Sequence, residues 1–202
     1  MDKELSEDKE MAVRKILLYP KDKIALRAIS EPVNTINPHS MHLIQDLKDT
    51  LHSRSDGVGL AAPQIDMRLR VIVVRLGARD DWDREAGPPI ALVNPEIIES
   101  GDERKDFDGC LSFPGLYGET NRPHFLRVTA IAEDGKPFER IFAGFDAVVV
   151  HHEIDHLNGI LFIDHIESLS DLHRVYVDGN GKPVRVPISE IVPAIRLTDM
   201  PE

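Results

Sequence analysis

The spacing of apolar residues along the chain changes several times, and each change marks an element. After Asn37-Pro38, the residues Met41, Ile44, Leu47 and Leu51 recur at helical intervals among polar neighbours, which predicts an amphipathic helix ending near Ser55. Gly57-Val58-Gly59 breaks that pattern, and the uninterrupted β-branched run Val71–Val74 reads as a buried strand. Residues 78–89 mix Asp, Arg, Glu, Gly and Pro around a lone aromatic, Trp82, and read as an exposed loop. Short strands are expected at 90–93, 126–132 and 137–142, with Asp134-Gly135-Lys136 turning the last two into a hairpin. A helical period returns over residues 145–157 and stops at Asn158-Gly159. A second hairpin is expected where Asp178-Gly179-Asn180-Gly181 separates Val175-Tyr176-Val177 from Val184-Arg185-Val186, with a short helix starting at Ser189. The fold class that follows is α+β, with antiparallel strands packed around a central helix.

Composition narrows the partners. The 202 residues suffice for one domain spanning 1–202, with residues 1–12 as a loose lead-in and 168–202 as a tail. Lys and Arg number 24 against 35 Asp and Glu, a formal charge of −11, so direct nucleic-acid binding through a broad basic surface is not expected. No apolar run approaches the ~20 residues of a spanning helix, so no membrane association is expected. The acidic start of the chain has neither an apolar signal segment nor an Arg-rich bias, and a cytoplasmic protein is the expectation. Cys110 is the only cysteine, so it has no internal disulfide partner: it is a buried filler, a reactive thiol or a metal ligand.

The sharpest chemical signal is His152-Glu153-Ile154-Asp155-His156. Two histidines four apart on a helix lie about 40° apart around its axis and can reach one metal ion. They share a stripe with Phe145, Val148 and Val149, which places the imidazoles among apolar side chains; satisfied core histidines are the ordinary alternative. A third ligand is needed. The longer protease pattern H-E-x-x-H-x-x-G-x-x-H matches through Gly159 but has Phe162 where its last histidine belongs. Glu167 and Glu190 are downstream carboxylate candidates, and Cys110, in Asp108-Gly109-Cys110-Leu111-Ser112, is the upstream one. Glu153 projects about 100° from His152, which suits a group that handles a proton without binding the metal.

Three segments in order resemble the motifs of the peptide deformylase family: Gly57-Val58-Gly59-Leu60-Ala61-Ala62-Pro63-Gln64, then Gly109-Cys110-Leu111-Ser112, then His152-Glu153-Ile154-Asp155-His156-Leu157-Asn158-Gly159. The resemblance implies that Cys110, His152 and His156 bind a divalent metal, Fe(II) in the cell with Zn(II), Ni(II) or Co(II) as substitutes. It implies Glu153 as catalytic acid and base, with Gln64 and the Leu111 backbone N–H facing the developing oxyanion. The implied substrate is the N-formylmethionyl end of a nascent peptide, released as formate and a free amine. The ribosome is a further implied partner. Gly57, Val58 and Gly59 would lie along the extended peptide, and Val58, Phe113, Val148 and Val149 are residues either near the methionine side chain or of the plain core.

Departures from the family pattern accompany the match. Asp108 stands where the family usually has Glu, and by the family's pairing it should meet Arg122 and orient the cysteine loop. His151 replaces the usual Gln and is expected to be a packing or solvent-facing residue. His165 replaces a frequent Arg, and the tail does not resemble the long helix that some members carry. The competing readings are a divergent paralogue acting on another acylated amine, a metal-dependent peptidase with a carboxylate ligand in place of Cys110, and a structural metal site with four protein ligands.

Overall fold

A computed structural model describes residues 12–77, 87–177, 179 and 183–188. Its helices are α1 (Lys23–Leu26), α2 (Pro38–His52) and α3 (Phe145–Leu157). Its strands are β1 (Gly59–Ala61), β2 (Val71–Val74), β3 (Ile90–Gly109), β4 (Leu116–Ile131), β5 (Pro137–Ala143), β6 (Leu172–Val177) and β7 (Pro183–Pro187). All pair antiparallel in one sheet of order β1-β2-β3-β4-β6-β7, with β5 also paired to β4.

The sheet is covered on both faces where its strands are most apolar. Ile72 and Val74 of β2 pack toward α3, whereas Val71 and Val73 pack toward α2. A strand buried on both sides has no polar face to alternate with, which is why this run is continuously apolar. α3 sits deep, with ten of its residues buried between Ala147 and Leu157. Its end is fixed by a close approach: Gly159 adopts φ +72, and a Cβ there would lie 2.9 Å from the Arg27 carbonyl carbon. A third apolar cluster of Leu26, Phe113, Leu161, Phe162, Ile166 and Leu172 packs beneath the cysteine loop.

Several expectations need correction. The strands expected at 90–93 and 126–132 are the ends of a 20-residue and a 16-residue strand. Their middle portions form a ribbon with many exposed residues, so polar side chains interrupt the apolar pattern without ending the strand. In α2, Met41 is 39% exposed, and Leu43 joins Ile44, Leu47 and Leu51 in the buried set. α2 ends at His52, before Ser55. The second hairpin is present as β6 and β7, and β6 pairs with β4, so this part of the tail belongs to the sheet. Most of the 78–89 loop, the helix from Ser189 and nearly all of the 1–12 lead-in lie outside the described residues.

Candidate metal centre

Three backbone segments converge at one end of α3. The helix supplies His152, Glu153 and His156, the turn after β3 supplies Cys110, and the 3-10 turn at Ala62–Ile65 supplies Gln64. The donor atoms of Cys110, His152 and His156 lie within 4.8 Å of one another, with Cys110 Sγ 3.3 Å from His156 Nε2. One thiol and two imidazoles, the histidines buried, form a donor set suited to a borderline or soft divalent ion. Glu167 is exposed and is not part of this group, and Glu190 lies outside the described residues. Among the described residues, no downstream carboxylate therefore joins the cluster.

The imidazoles differ in their surroundings. His152 Nδ1 lies 2.7 Å from Asp108 Oδ1, which fixes the proton on that nitrogen and leaves Nε2 toward the sulfur. Burial opposes a charge on His152, but Asp108 outweighs it and raises the pKa well above the usual histidine value. His156 is pushed well below that value, first by burial and then by the neighbouring His152. Its Nδ1 makes no hydrogen bond among the described residues. Two imidazoles 5.0 Å apart at their centroids cannot both carry a proton cheaply, and a shared cation would resolve this.

Asp108 is held from behind. Burial would raise its pKa, but His152 and Arg122 together keep it well below the usual carboxylate range. Arg122 is fully buried and donates to Asp108 Oδ2 from Nε at 3.0 Å and from a terminal nitrogen at 2.8 Å, while Thr120 Oγ1 donates at 3.1 Å. The Asp108 and Arg122 pair is therefore an interior one. The other side of the guanidinium meets Asp155, whose carboxylate also lies 2.9 Å from His165 Nε2 and 3.5 Å from His151 Nδ1. His151 Nδ1 is 2.6 Å from Arg122 as well, so the expectation of a packing or solvent-facing residue fails. Asp155 draws His151 and Arg122 together because it stands one turn after the first. Sequence reasoning passed over Asp155 and Thr120. The signal was present in His151-His152-Glu153-Ile154-Asp155-His156, where Asp155 is three and four residues from two histidines and lies on their side of the helix.

Glu153 is buried, and burial above all raises its pKa to about 7. Its Oε2 makes no hydrogen bond among the described residues. Gly59 packs directly against it: a Cβ at Gly59 would lie 2.8 Å from Glu153 Cγ and Cδ. Gln64 is 1% exposed, contrary to an ordinary loop glutamine. Its Oε1 accepts the Ala61 N–H at 2.8 Å, so its amino group must face the other way, toward Ser112 Oγ at 3.2 Å and Cys110 Sγ at 3.5 Å. The Leu111 side chain borders Gly57, where a Cβ would lie 3.2 Å from Leu111 Cδ1. Of the expected pocket residues, Phe113 stacks on Tyr19 at 4.9 Å and meets Phe162 edge-on at 5.1 Å. Val149 belongs to the main core, against which Val58 packs, and Val148 is buried.

With that geometry in place, a family model described as polypeptide deformylase matches residues 13–171. The peptide deformylase of Nitrobacter hamburgensis is 41% identical over 160 residues, which cover 79% of this chain and 90% of that protein. A crystal structure of a peptide deformylase from Legionella pneumophila is 42% identical with a TM-score of 0.67, covering 78% of this chain and 88% of that one. A Met-Ala-Ser-bound crystal structure of a class I type b peptide deformylase from Acinetobacter baumannii gives a TM-score of 0.70 at 34% identity, over 77% of this chain and 99% of that one.

Proposed function

The chain belongs to the peptide deformylase family, and from that premise we propose that Cys110, His152 and His156 hold its catalytic metal ion while Glu153 carries the proton of the reaction. The reaction hydrolyses the formyl amide at the start of a peptide: water adds at the formyl carbon, the C–N bond breaks, and formate and a free amine leave. A bound divalent ion supplies Lewis acidity and acidifies a water toward neutral pH. The thiolate and two imidazoles support Fe(II), Zn(II), Ni(II) or Co(II) over hard ions, and ferrous iron is the cellular choice that the family resemblance favours.

The protein's own groups divide the remaining work. Glu153, buried and raised to about 7, accepts a proton from the attacking water and delivers it to the departing amine. The Gln64 amino group, turned toward the cysteine by the Ala61 hydrogen bond, donates to the oxygen that becomes negative, as does the Leu111 N–H. Asp108, anchored by Arg122, keeps His152 in the tautomer that presents Nε2. The substrate peptide lies along residues 57–59: the Val58 carbonyl accepts the Arg75 N–H at 2.8 Å, and among the described residues no strand pairs with the outer edge of β1, which suits an added strand. Val58, Phe113, Val148 and Val149 are the apolar residues assigned to the methionine side chain. In this reading one domain acts on nascent formylated peptides, in the cytoplasm and near the ribosome. No described helix is long and apolar enough to cross a membrane.

The observation that carries this reading is the convergence of Cys110, His152 and His156 within 4.8 Å beside a buried glutamate whose Oε2 makes no hydrogen bond among the described residues. Incubating metal-loaded protein with a formyl-methionyl peptide and its acetyl analogue tests it, with formate and free amine as readouts. Release of formate from the first, little reaction of the second, and loss of turnover with retained metal in Glu153→Ala are expected. Equal rates on both substrates, or normal turnover in Glu153→Ala, would refute it.

A further inference from the structure

β6 and β7 lie beyond residue 171, where the family match ends, yet they run beside the cysteine loop. Tyr117 pairs with Gly109 on one side and His173 on the other, and Val175 pairs with Arg185. Alternation along paired strands puts Phe107, Tyr117, His173 and Arg185 on one face of the sheet. The opposite face is the one from which Asp108 reaches His152. On the shared face the Phe107 and Tyr117 rings are nearly parallel at 5.3 Å, and the Arg185 guanidinium carbon lies 3.8 Å from the Phe107 centroid. Tyr117 covers Gly109 so closely that a Cβ there would fall 2.5 Å from two ring carbons. The arginine delivered by the last described strand therefore stands one residue stack away from the backbone that carries Cys110.

Across from this stack runs the segment proposed to hold the peptide. Tyr117 covers Gly109, and Leu111, two residues further along the same loop, has its Cδ1 3.2 Å from where a Cβ at Gly57 would lie, so the stack and the segment that starts at Asp56 flank one loop; burial and Asp56 push the Tyr117 phenol up and Arg185 pulls it down. Asp56 is already matched by Arg54, which donates to both carboxylate oxygens at 3.0 Å. On the same face Lys105 is satisfied by Asp171 at 2.8 Å and Glu119 at 3.7 Å. Arg185 is exposed, stacked on an aromatic ring, and makes no ion pair among the described residues. A cation fixed in place without an anion is prepared to receive one.

We propose that Arg185, seated on the Phe107 and Tyr117 stack, is a specificity-determining residue that binds a carboxylate carried by the substrate about three residues into the peptide. The position follows from reach. Gly59 abuts Glu153, Asp56 is three residues away, and an extended chain advances about 3.3 Å per residue. A peptide whose formyl end sits at Glu153 and whose backbone follows residues 59 to 57 brings its third side chain to the level of Asp56, Tyr117 and Arg185. This inference rests on the deformylase reading of the site. The carboxylate has two sources, an acidic side chain or the free C-terminus of a short peptide.

The test compares kcat/KM for formyl-Met-Ala-Asp-amide, formyl-Met-Ala-Asn-amide, formyl-Met-Ala-Lys-amide and the free acid formyl-Met-Ala-Asn. The wild-type enzyme should favour Asp over Asn by roughly two- to fivefold, the range of an exposed charge pair, through KM and less so at high salt. Lys should be disfavoured. Arg185→Ala should remove the ordering, Arg185→Lys should keep it, and Arg185→Glu should reverse it, a sign change that a damaged hairpin cannot produce. A gain in the amidated Asp peptide identifies the side chain as the ligand, and a gain confined to the free acid identifies the terminus. Turnover of all four peptides with no dependence on charge, or an ordering that survives Arg185→Glu, would overturn the proposal and leave the deformylase reading intact. No turnover of any would overturn both.

Discussion

Gly59 and Glu153 show how closely single residues are set against each other at this site. The glutamate has one oxygen without a hydrogen bond among the described residues, and its position depends on the absence of a side chain at residue 59. Gly59→Ala should therefore displace the carboxylate and lower kcat by about 10²-fold, the scale of a misplacement near 1 Å, with metal content retained. Metal analysis beside steady-state rates checks this, and a normal kcat would mean the carboxylate has room to shift. Arg122 is the second such point. It is fully buried between Asp108 and Asp155, so Arg122→Met leaves two interior carboxylates without their common partner. A loss of about 3–5 kcal/mol in urea unfolding is expected. A loss under ~1 kcal/mol would show that His151 and His165 suffice to hold Asp155.

At the scale of elements, the site depends on α2 and α3 gripping opposite faces of the same strands. α2 begins with a reciprocal cap, in which Asn37 Oδ1 accepts the Ser40 N–H at 3.0 Å and Ser40 Oγ accepts the Asn37 N–H at 2.9 Å. Asn37→Ala should cost about 1 kcal/mol of stability by thermal or chemical unfolding while leaving metal affinity unchanged. A fall in metal affinity would show that α2 tunes the site through β1 and β2. Elements were legible in the sequence to different degrees. α3 was placed at Phe145–Leu157 because its period and its glycine stop agree. The long strands were read as fragments, since residues 99–108 carry Glu, Asp, Lys and Arg on a ribbon and their pairing is recorded only in a partner strand. Met41 and Leu43 exchanged roles because a helical stripe wider than one residue can tilt either way until a sheet is laid against it.

For the whole molecule, the clearest long-range tie joins the chain ahead of α2 to the turn after α3. Arg27 bonds Asp164 with both terminal nitrogens, one at 2.8 Å, and Asp164 Oδ2 also accepts the Leu161 N–H at 2.8 Å. Burial pushes Asp164 up, but the Arg27 hydrogen bond outweighs it and the pKa is lowered from 3.8. A carboxylate depressed in the folded state adds stability above its unfolded pKa, and that stability is lost as pH falls through the folded value. Asp164→Asn keeps the acceptor for Leu161 and removes the charge. The stability gap between wild type and variant should be constant above about pH 5, under ~1 kcal/mol for so exposed a pair, and should close below about pH 4. Unfolding midpoints across pH 3 to 7 measure it, and a gap that widens in acid would refute the assignment.

The sequence by itself determined where the chemistry resides. Donor types, the four-residue histidine spacing and the glycine-flanked cysteine are local properties, and residues close along the chain keep their geometric relation in any fold containing that helix. Only the tertiary structure decided which distant polar groups meet. Asp108 reaching His152, Arg122 meeting the Asp155 carboxylate, and Arg185 settling over Phe107 all join residues whose separations leave no trace in hydrophobic period. Their encounter is fixed by strand register and by the requirement that buried charges find partners, conditions that exist only once the sheet has closed around α3.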